Sequence, residues 1–289
     1  MKLVLGSAQL GMDYGLLNNK KINQKEFKKI EKLVLKSNIK FIDTANSYGD
    51  SERVIGNSKL KNLKIITKIK LPEKNNFSIK KWVSGKIFES IKKLNIKKIY
   101  GVLVHDYKDL QGIKGRKYLH ELQELKKRKL INKIGISIYD PKEIKKIWKI
   151  WKPDIVQVPF NVFDNRILNS GWINILKKNR VKIYARSVFL QGVLVNDSSV
   201  FKFHENYKHL FNKFKKWCAT NNITRIQACL HFVMQHKKID YLVVGFNNYN
   251  HLKEIIDVFK KKQTIIPHKF STNYINLIDP RRWNQKKKF

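Results

Sequence analysis

Four polar side chains that could move a proton stand near the ends of short apolar runs. Asp43 follows two apolar residues in the stretch FIDTANSYGDSERVIG (41–56), and Tyr48 lies a few residues further on. Lys68 ends the run KIITK, and His105 ends the run GVLVH. A carboxylate at the end of a buried run needs a nearby cation to offset its charge, and Lys68 is the candidate.

These residue types fit acid–base chemistry at a carbonyl oxygen. A free tyrosine has a pKa of about 10, which is too high for efficient proton transfer near neutral pH. A lysine about 4 Å from the phenol would stabilise tyrosinate by up to about 4 kcal/mol at an effective dielectric constant of about 20, before desolvation is subtracted. We therefore expect Lys68 to lower the pKa of Tyr48, Asp43 to keep Lys68 charged, and His105 to donate a hydrogen bond to the carbonyl. Each residue alone would be interpreted as an ordinary core or surface residue, but four at neighbouring strand ends favour a site.

Eight short β-branched runs recur along the chain and are apolar on both faces, which is typical of buried parallel strands. They span 3–6, 40–44, 64–68, 101–105, 133–137, 154–158, 182–187 and 241–245. Segments with helical spacing separate them, and the first of these follows Asn23 with Glu26 at the capping-box position. The alternation predicts an α/β fold, a single-domain (β/α)8 TIM barrel over residues 1–289, with its active site at the C-terminal face of the strands. A doubly wound sheet is the alternative, but the first run lacks a GxGxxG turn.

The formal net charge of +39 comes mostly from lysine, with 52 lysines and nine arginines among 289 residues. Proteins that read nucleic-acid sequence usually rely on arginine at base edges and in minor grooves. The lysines are spread over nearly every predicted helix, which favours codon drift in an AT-rich genome over one specific polyanion site. Such a surface would still attract anionic surfaces at low salt.

Only two cysteines occur, Cys218 and Cys229, without CxxC or metal-ligand spacing. This pattern is typical of a reducing compartment, and we expect no metal site. The start of the chain lacks the pattern of a signal peptide, and no apolar stretch reaches the roughly 18 residues of a membrane span. The sequence therefore predicts a cytoplasmic location.

The segment 41–56, together with TKIK and VLVHD, resembles the aldo-keto reductase family. Later segments resemble that family in the same order, namely GISIY, VQVPFNVFDNR, ARSVFLQGVL and VVGFNNYNHLKE. The resemblance covers nearly the whole chain and implies NAD(P)H-dependent reduction of an aldehyde or ketone to an alcohol. It implies that Tyr48 is the general acid/base, that Lys68 and Asp43 tune it, that His105 orients the carbonyl, and that hydride comes from a nicotinamide.

The resemblance also implies the cofactor contacts. Ser137 and Gln157 resemble the pair that hydrogen-bonds the nicotinamide carboxamide, although Ile138 stands where the family often has Asn. Arg186 occupies a position where an aromatic often stacks on the nicotinamide, and a planar guanidinium can stack too. The turn after it would lie along the pyrophosphate, and the segment after the eighth run would contact the adenosine. The full set of cofactor-binding candidates is Ser137, Gln157, Arg186, Ser187, Gln191, Gly192, Gly245, Asn247, Asn248, His251 and Glu254.

The family favours NADPH, with NADH as the alternative because no Lys or Arg stands at the usual positions for the 2′-phosphate. The C-terminal segment 260–289 is expected to contribute to the substrate pocket. Bacterial relatives resembling this chain often lie with genes for surface sugars, which suggests a small, sugar-derived carbonyl as the partner. Two other functions stay open: a cofactor-sensing, non-catalytic subunit resembling potassium-channel beta subunits, and a polyanion-binding protein on a barrel scaffold. The sequence does not determine the oligomeric state.

Overall fold

The computed structural model describes residues 1–15, 20–72, 77–196 and 202–286. Within these ranges, eight parallel strands form a closed barrel in sequence order, and the last strand pairs with the first. The strands are β1 (Lys2–Gly6), β2 (Phe41–Asp43), β3 (Lys64–Ile69), β4 (Ile99–Val104), β5 (Ile131–Ser137), β6 (Ile155–Pro159), β7 (Lys182–Arg186) and β8 (Tyr241–Val244). The predicted (β/α)8 TIM barrel is confirmed.

Helices occupy the connections between the strands. They are α1 (Ala8–Gly11), α2 (Gln24–Lys36), α3 (Ser51–Gly56), α4 (Ile79–Leu94), α5 (Gly112–Lys127), α6 (Pro141–Trp148), α7 (Arg166–Asn169), α8 (Trp172–Lys178), α9 (Lys208–Thr220), α10 (Arg225–Met234), α11 (Tyr249–Lys260) and α12 (Ile275–Ile278). Short 3-10 segments lie at Lys59–Asn62, Tyr107–Leu110, Leu190–Gly192, Lys202–Tyr207, His268–Phe270 and Pro280–Lys286. Among the helices described, none combines the length and apolar character needed to cross a lipid bilayer.

Two apolar clusters hold the barrel together. The larger joins strand residues such as Leu5 to helix residues such as Ile30 and Ile87, so the helices pack against the strands. The smaller fills the barrel itself with the side chains of Val4, Phe41, Ile66, Leu103, Ile155, Tyr184, Tyr241 and Val243. Because side chains fill the interior, the barrel is a solid base on which a site can be built at one end.

The strand register brings the predicted site residues to that end. Asp43 is the partner of Gly6 on one side and of Ile66 on the other. On the opposite side of the barrel, Ser137 and Gln157 are register partners. The carboxyl ends of parallel strands share one edge, so residues from distant parts of the chain converge there.

One predicted helix start differs in its details. Asn23 accepts a hydrogen bond from the backbone N–H of Glu26, as a capping box requires. The carboxylate of Glu26, however, accepts from the backbone N–H of Tyr249 at 2.7 Å instead of turning back to the cap. Glu26 therefore joins the beginning of α2 to the beginning of α11.

The segment 167–179, between β6 and β7, is not one continuous helix. The chain forms α7 and α8 with a break at Gly171, whose φ of 72° lies in the left-handed region. Glycine adopts that conformation without steric cost, so it ends one short helix and starts the next.

Candidate active site

A cavity of about 470 Å³ opens at the C-terminal ends of the strands. All fifteen residues that the sequence proposed as site residues line its wall: Asp43, Tyr48, Lys68, His105, Ser137, Gln157, Arg186, Ser187, Gln191, Gly192, Gly245, Asn247, Asn248, His251 and Glu254. The structure thus brings the acid–base candidates and the cofactor candidates to one space. Their roles remain predictions.

The ion pair expected from the sequence lies at the base of this cavity. Lys68 Nζ is 2.5 Å from Asp43 Oδ2, and only 2% and 4% of these two residues is exposed. Nζ also donates to the carbonyl oxygen of Thr44 at 3.0 Å and lies 3.5 Å from Tyr48 Oη. These three contacts hold the amine of Lys68 at the base of the cavity, where it faces the phenol.

The pKa of Tyr48 differs from the sequence-based expectation. Burial raises this pKa well above its ordinary value, and the negative charge of Asp43 acts in the same direction. The ammonium of Lys68, 3.5 Å away, does not bring this pKa below its ordinary value as predicted, because burial outweighs it and Asp43 offsets part of its charge. The phenol is therefore protonated at neutral pH, as a proton donor must be.

His105 stands beside this phenol as a neutral imidazole. Its ring centroid lies 6.4 Å from that of Tyr48, with the planes nearly perpendicular. Burial lowers the pKa of His105 to about 3, and the positive charges of Lys68 and Arg186 add to the effect. A neutral imidazole carries one N–H donor, so His105 can donate a hydrogen bond to a carbonyl oxygen.

The loop that carries Tyr48 is held by a buried carboxylate that the sequence did not reveal. Glu52 accepts hydrogen bonds from Thr67 Oγ1 at 2.7 Å, from Ser90 Oγ at 2.8 Å and from Asn46 Nδ2 at 3.0 Å. These bonds tie the loop to β3 and to α4, which limits the positions open to the phenol.

Helix α1 also approaches this loop closely. A Cβ at Gly11 would lie 1.8 Å from the carbonyl oxygen of Tyr48, so a side chain at this position would displace the loop. Glycine is required at position 11 because the backbones of α1 and the Tyr48 loop are too close for any side chain.

Gln157 and Ser137 form a part of the cavity wall that can hydrogen-bond a carboxamide group. Gln157 Nε2 donates to Asp43 Oδ1 at 2.7 Å, which fixes the orientation of the side-chain amide. Its Oε1 is buried and has no hydrogen-bond partner in the described chain. A buried acceptor without a partner costs free energy, and the carboxamide of a nicotinamide would supply the missing donor. Ser137 is its register neighbour on β5, so the residues present fit the group that the resemblance implies.

The turn after β7 has an unusual backbone. Ser187, Leu190 and Gln191 all have φ between 46° and 58°, and Gly192 has φ of 92°. Non-glycine residues rarely adopt this region, and such strain is typical of turns that contact a ligand. Asn161 Nδ2 supports the turn by donating to the carbonyl oxygen of Ser187 at 3.0 Å.

The far end of the cavity, where the resemblance implies adenosine contacts, carries negative rather than positive charge. Glu254 lines the wall here, and Asn248 caps α11 by accepting from the backbone N–H of His251. The only Lys or Arg side chains among the described lining residues are Lys68 and Arg186, both at the other end.

Several lining residues were missed from the sequence. Gln9 and Tyr14 come from the segment after β1, Tyr139 from the segment after β5, and Asn196 and Asn250 from the segments after β7 and β8. The rule that strand-end loops form barrel sites would have indicated Gln9 and Tyr14, had it been applied to β1, and Tyr139, the second residue beyond β5. Asn196 and Asn250 lie further from their strands, and no local pattern indicated them.

The C-terminal segment 260–289 reaches the cavity wall indirectly. None of the described lining residues comes from it, but the guanidinium of Arg281 lies 3.8 Å from the ring centroid of Tyr139. Its predicted contribution to the substrate pocket stays a prediction. In the parts of the chain that are described, no group of three or more His, Cys, Asp or Glu is arranged to hold a metal ion.

Comparisons with known proteins agree with this fold. The sequence profile of the Aldo/keto reductase family matches residues 2–266. The fold is similar to the holo form of the aldo-keto reductase AKR11C1 from Bacillus halodurans, with 17% identity, a TM-score of 0.73, and coverage of 91% of this chain and 88% of that one. It is also similar to the glycerol dehydrogenase AKR11B4 from Gluconobacter oxydans, with 18% identity, a TM-score of 0.69, and coverage of 91% and 87%. Among curated proteins, none matched the chain in sequence.

Proposed function

Because the chain belongs to the aldo/keto reductase family, whose members are oxidoreductases of small carbonyl compounds, we propose that it reduces an aldehyde or ketone to an alcohol with NADPH or NADH. The observation that carries the proposal is the position of Lys68 between Asp43 and Tyr48, at 2.5 Å and 3.5 Å, on the wall of one cavity.

Four residues of the chain would supply the proton and stabilise the charge that develops when it is transferred. Tyr48 donates its phenolic proton to the carbonyl oxygen, and Lys68 stabilises the phenolate that develops 3.5 Å from its ammonium. Asp43 pairs with Lys68 in its buried position and holds it beside the phenol. His105, neutral at physiological pH, donates a hydrogen bond that orients the carbonyl and favours negative charge on its oxygen.

The cofactor, when bound, supplies hydride to the carbonyl carbon. Ser137 and Gln157 would hold its carboxamide, since Gln157 Oε1 has no other partner among the described residues. Family membership favours NADPH. Glu254 on the wall, and Glu26 at the first backbone N–H of α11, support NADH because both carboxylates would repel an added phosphate.

A polyhydroxylated, sugar-derived carbonyl is the substrate class that we favour. The structural relative from Gluconobacter oxydans is described as a glycerol dehydrogenase, and glycerol is a small polyol. The cavity wall offers both aromatic and amide side chains, including Tyr14, Tyr139 and Asn196. Such side chains can hydrogen-bond hydroxyl groups and pack on the apolar face of a sugar.

The decisive experiment compares the wild-type chain with Tyr48→Phe. Nicotinamide absorbance is followed with NADPH and NADH against aldehydes, ketones and sugar aldehydes. Loss of the phenolic proton donor is expected to lower kcat at least about 100-fold. The Kd of the reduced cofactor, from fluorescence titration, should change less than about threefold, since the hydroxyl is not a proposed cofactor contact. Equal turnover by both proteins would exclude Tyr48 as the proton donor, and cofactor binding without any turnover would favour a cofactor-sensing subunit.

A further inference from the structure

One arginine in the cavity wall, Arg186, has no acidic partner in the described chain. Arg186 Nη1 donates to Ser187 Oγ at 3.0 Å, and Nη2 donates to the carbonyl oxygen of Ile138 at 2.9 Å. A guanidinium carries five N–H donors, so these two bonds leave most of its edge without a partner. The residue is partly buried and lines the same wall as Tyr48 and His105.

Two other arginines contact Tyr139, and both are neutralised. Arg281 stacks on the Tyr139 ring and pairs with Asp279 through Nε at 2.9 Å and Nη2 at 2.6 Å. Arg166 donates to the carbonyl oxygen of Tyr139 and pairs with Asp164 at 2.8 Å and 2.7 Å. The contrast isolates Arg186 as the arginine of this cluster whose charge no described carboxylate offsets.

Tyr139 holds the unpaired guanidinium in place. The Arg186 guanidinium carbon lies 4.3 Å from the Tyr139 ring centroid, and the bond to the Ile138 carbonyl fixes its plane. One face of the guanidinium is therefore covered while its edge lies at the cavity wall. A planar fork held in this way is suited to two parallel hydrogen bonds with a carboxylate or phosphate.

The positive charge reaches the reacting groups. It opposes the rise in the pKa of Tyr48 and contributes to the low pKa of His105. Because Asp43 offsets Lys68 at 2.5 Å, Arg186 supplies the net positive charge at this end of the cavity. An unpaired, partly buried cation carries a desolvation cost, which an oxyanion bound beside it would offset.

We propose that the carbonyl substrate carries a carboxylate or phosphate group that Arg186 binds while Tyr48 protonates the carbonyl oxygen. This inference rests on the proposed reductase function and adds a substrate class to it. The substrates would be acidic sugars, sugar phosphates or other carbonyl compounds with an acid group, in place of neutral aldehydes. The reaction itself is unchanged, with hydride added at the carbonyl carbon and the phenolic proton at its oxygen.

Matched substrate pairs test the inference. The ratio of kcat/KM for succinate semialdehyde over butanal, and for D-glyceraldehyde 3-phosphate over D-glyceraldehyde, is measured for the wild type, Arg186→Gln, Arg186→Lys and the control Arg116→Gln, at an exposed position on α5. The wild type should prefer the anionic member of at least one pair by about tenfold or more. Arg186→Gln should reduce that ratio by about 30-fold, Arg186→Lys should restore part of it, and Arg116→Gln should keep it within about threefold.

Two further measurements distinguish loss of the anion site from misfolding and from weaker cofactor binding. Thermal melts confirm that each variant folds, and fluorescence titration gives the Kd of NADH and NADPH. Equal reduction of charged and neutral members by the wild type, or an unchanged ratio in Arg186→Gln, would overturn the inference. The inference would also fail if Arg186→Gln lowered kcat/KM equally for the charged and the neutral substrate, in step with a weaker Kd for the cofactor. Arg186 would then bind an anionic group of the cofactor and not of the substrate.

Binding of the alcohol products gives a test without turnover. Calorimetry compares 4-hydroxybutyrate with 1-butanol on the wild-type chain and on Arg186→Gln. Tighter binding of the hydroxy acid that is lost in Arg186→Gln supports the anion site even if no carbonyl is reduced. That combination would reject the proposed reductase function alone, whereas equal affinity for both alcohols would reject the anion site.

Discussion

The side-chain amide of Gln157 donates a 2.7 Å hydrogen bond to Asp43, from β6 to β2 across the mouth of the barrel. This bond links a proposed cofactor contact to the carboxylate that pairs with Lys68. It also fixes the orientation of the amide, because a carboxylate can accept only from the NH₂ group. The orphan Oε1 is thereby left as an acceptor on the wall of the cavity.

Replacing Gln157 by Met should therefore weaken cofactor binding. The variant keeps the side-chain volume but removes the acceptor, so we expect the Kd of the reduced cofactor to rise about tenfold. Quenching of intrinsic fluorescence on titration measures it. Gln123→Met, at an exposed position on α5, is the matched control and should bind as the wild type does. A Gln157→Met protein with unchanged affinity would remove this residue from the cofactor site.

Substitution of Lys68 by Met should move the basic limb of the pH–rate profile to higher pH. The ammonium lies 3.5 Å from the phenol, and its removal also leaves the negative charge of Asp43 uncompensated. Both changes disfavour tyrosinate and raise the pKa of Tyr48, so the proton donor stays protonated to higher pH. The measurement is kcat as a function of pH, with an expected fall in kcat of about 100-fold. A limb at the wild-type position would show that the two groups are not coupled.

Cofactor choice should respond to the charge of Glu254. A lysine at this position replaces a carboxylate on the cavity wall by a cation that can pair with a 2′-phosphate. For Glu254→Lys we expect the affinity for NADPH relative to NADH to rise about tenfold. Parallel titrations with both cofactors measure this ratio. Glu124→Lys makes the same charge change on α5 and controls for the overall field, so an equal shift in both variants would contradict a local effect.

Asp109 should make stability depend on pH in the acidic range. Burial raises the pKa of this carboxyl to about 6, although it accepts a hydrogen bond from the backbone N–H of Leu71 at 3.0 Å. The unfolded carboxyl has a pKa of about 3.9. Between these values the folded protein holds a proton that the unfolded chain has released, so stability falls as pH rises from about 4 to about 6.

Asp109→Asn removes this titration and retains an acceptor for the Leu71 N–H. Its Tm relative to the wild type should be higher at pH 7.5 than at pH 4.5. Scanning calorimetry at both pH values tests the sign, with Asp257→Asn, at an exposed helix position, as the control variant. A difference in Tm that is the same at both pH values would show that Asp109 does not titrate with a raised pKa.

The sequence predicted the barrel and its site residues to the extent that they depend on local pattern. The apolar runs that lead to Asp43, Lys68 and His105 predict both a strand and the polar residue at its end. The geometry of a parallel barrel then brings these ends together. The pKa of Tyr48 could not be predicted in this way, because its direction depends on burial and on the balance of two nearby charges.

Contacts between distant segments were also beyond local pattern. Glu26 has the spacing of a capping box, yet it caps a helix 223 positions away. The stacking of Arg281 on Tyr139 joins the C-terminal segment to the loop after β5. Such partners are set by the closure of the barrel, which no window of sequence contains.

The proposed acid–base residues and the proposed cofactor contacts lie in different halves of the chain. Asp43, Tyr48, Lys68 and His105 belong to the units of β1 to β4, whereas Ser137 and every later cofactor candidate belong to β5 to β8. Selection can therefore alter the proposed nucleotide contacts of the second half, to which only Glu26 of α2 adds from the first half, while leaving the proton donor intact. Hybrids that exchange half-barrels between relatives should inherit these two properties separately, provided that the Gln157–Asp43 contact forms again at the junction.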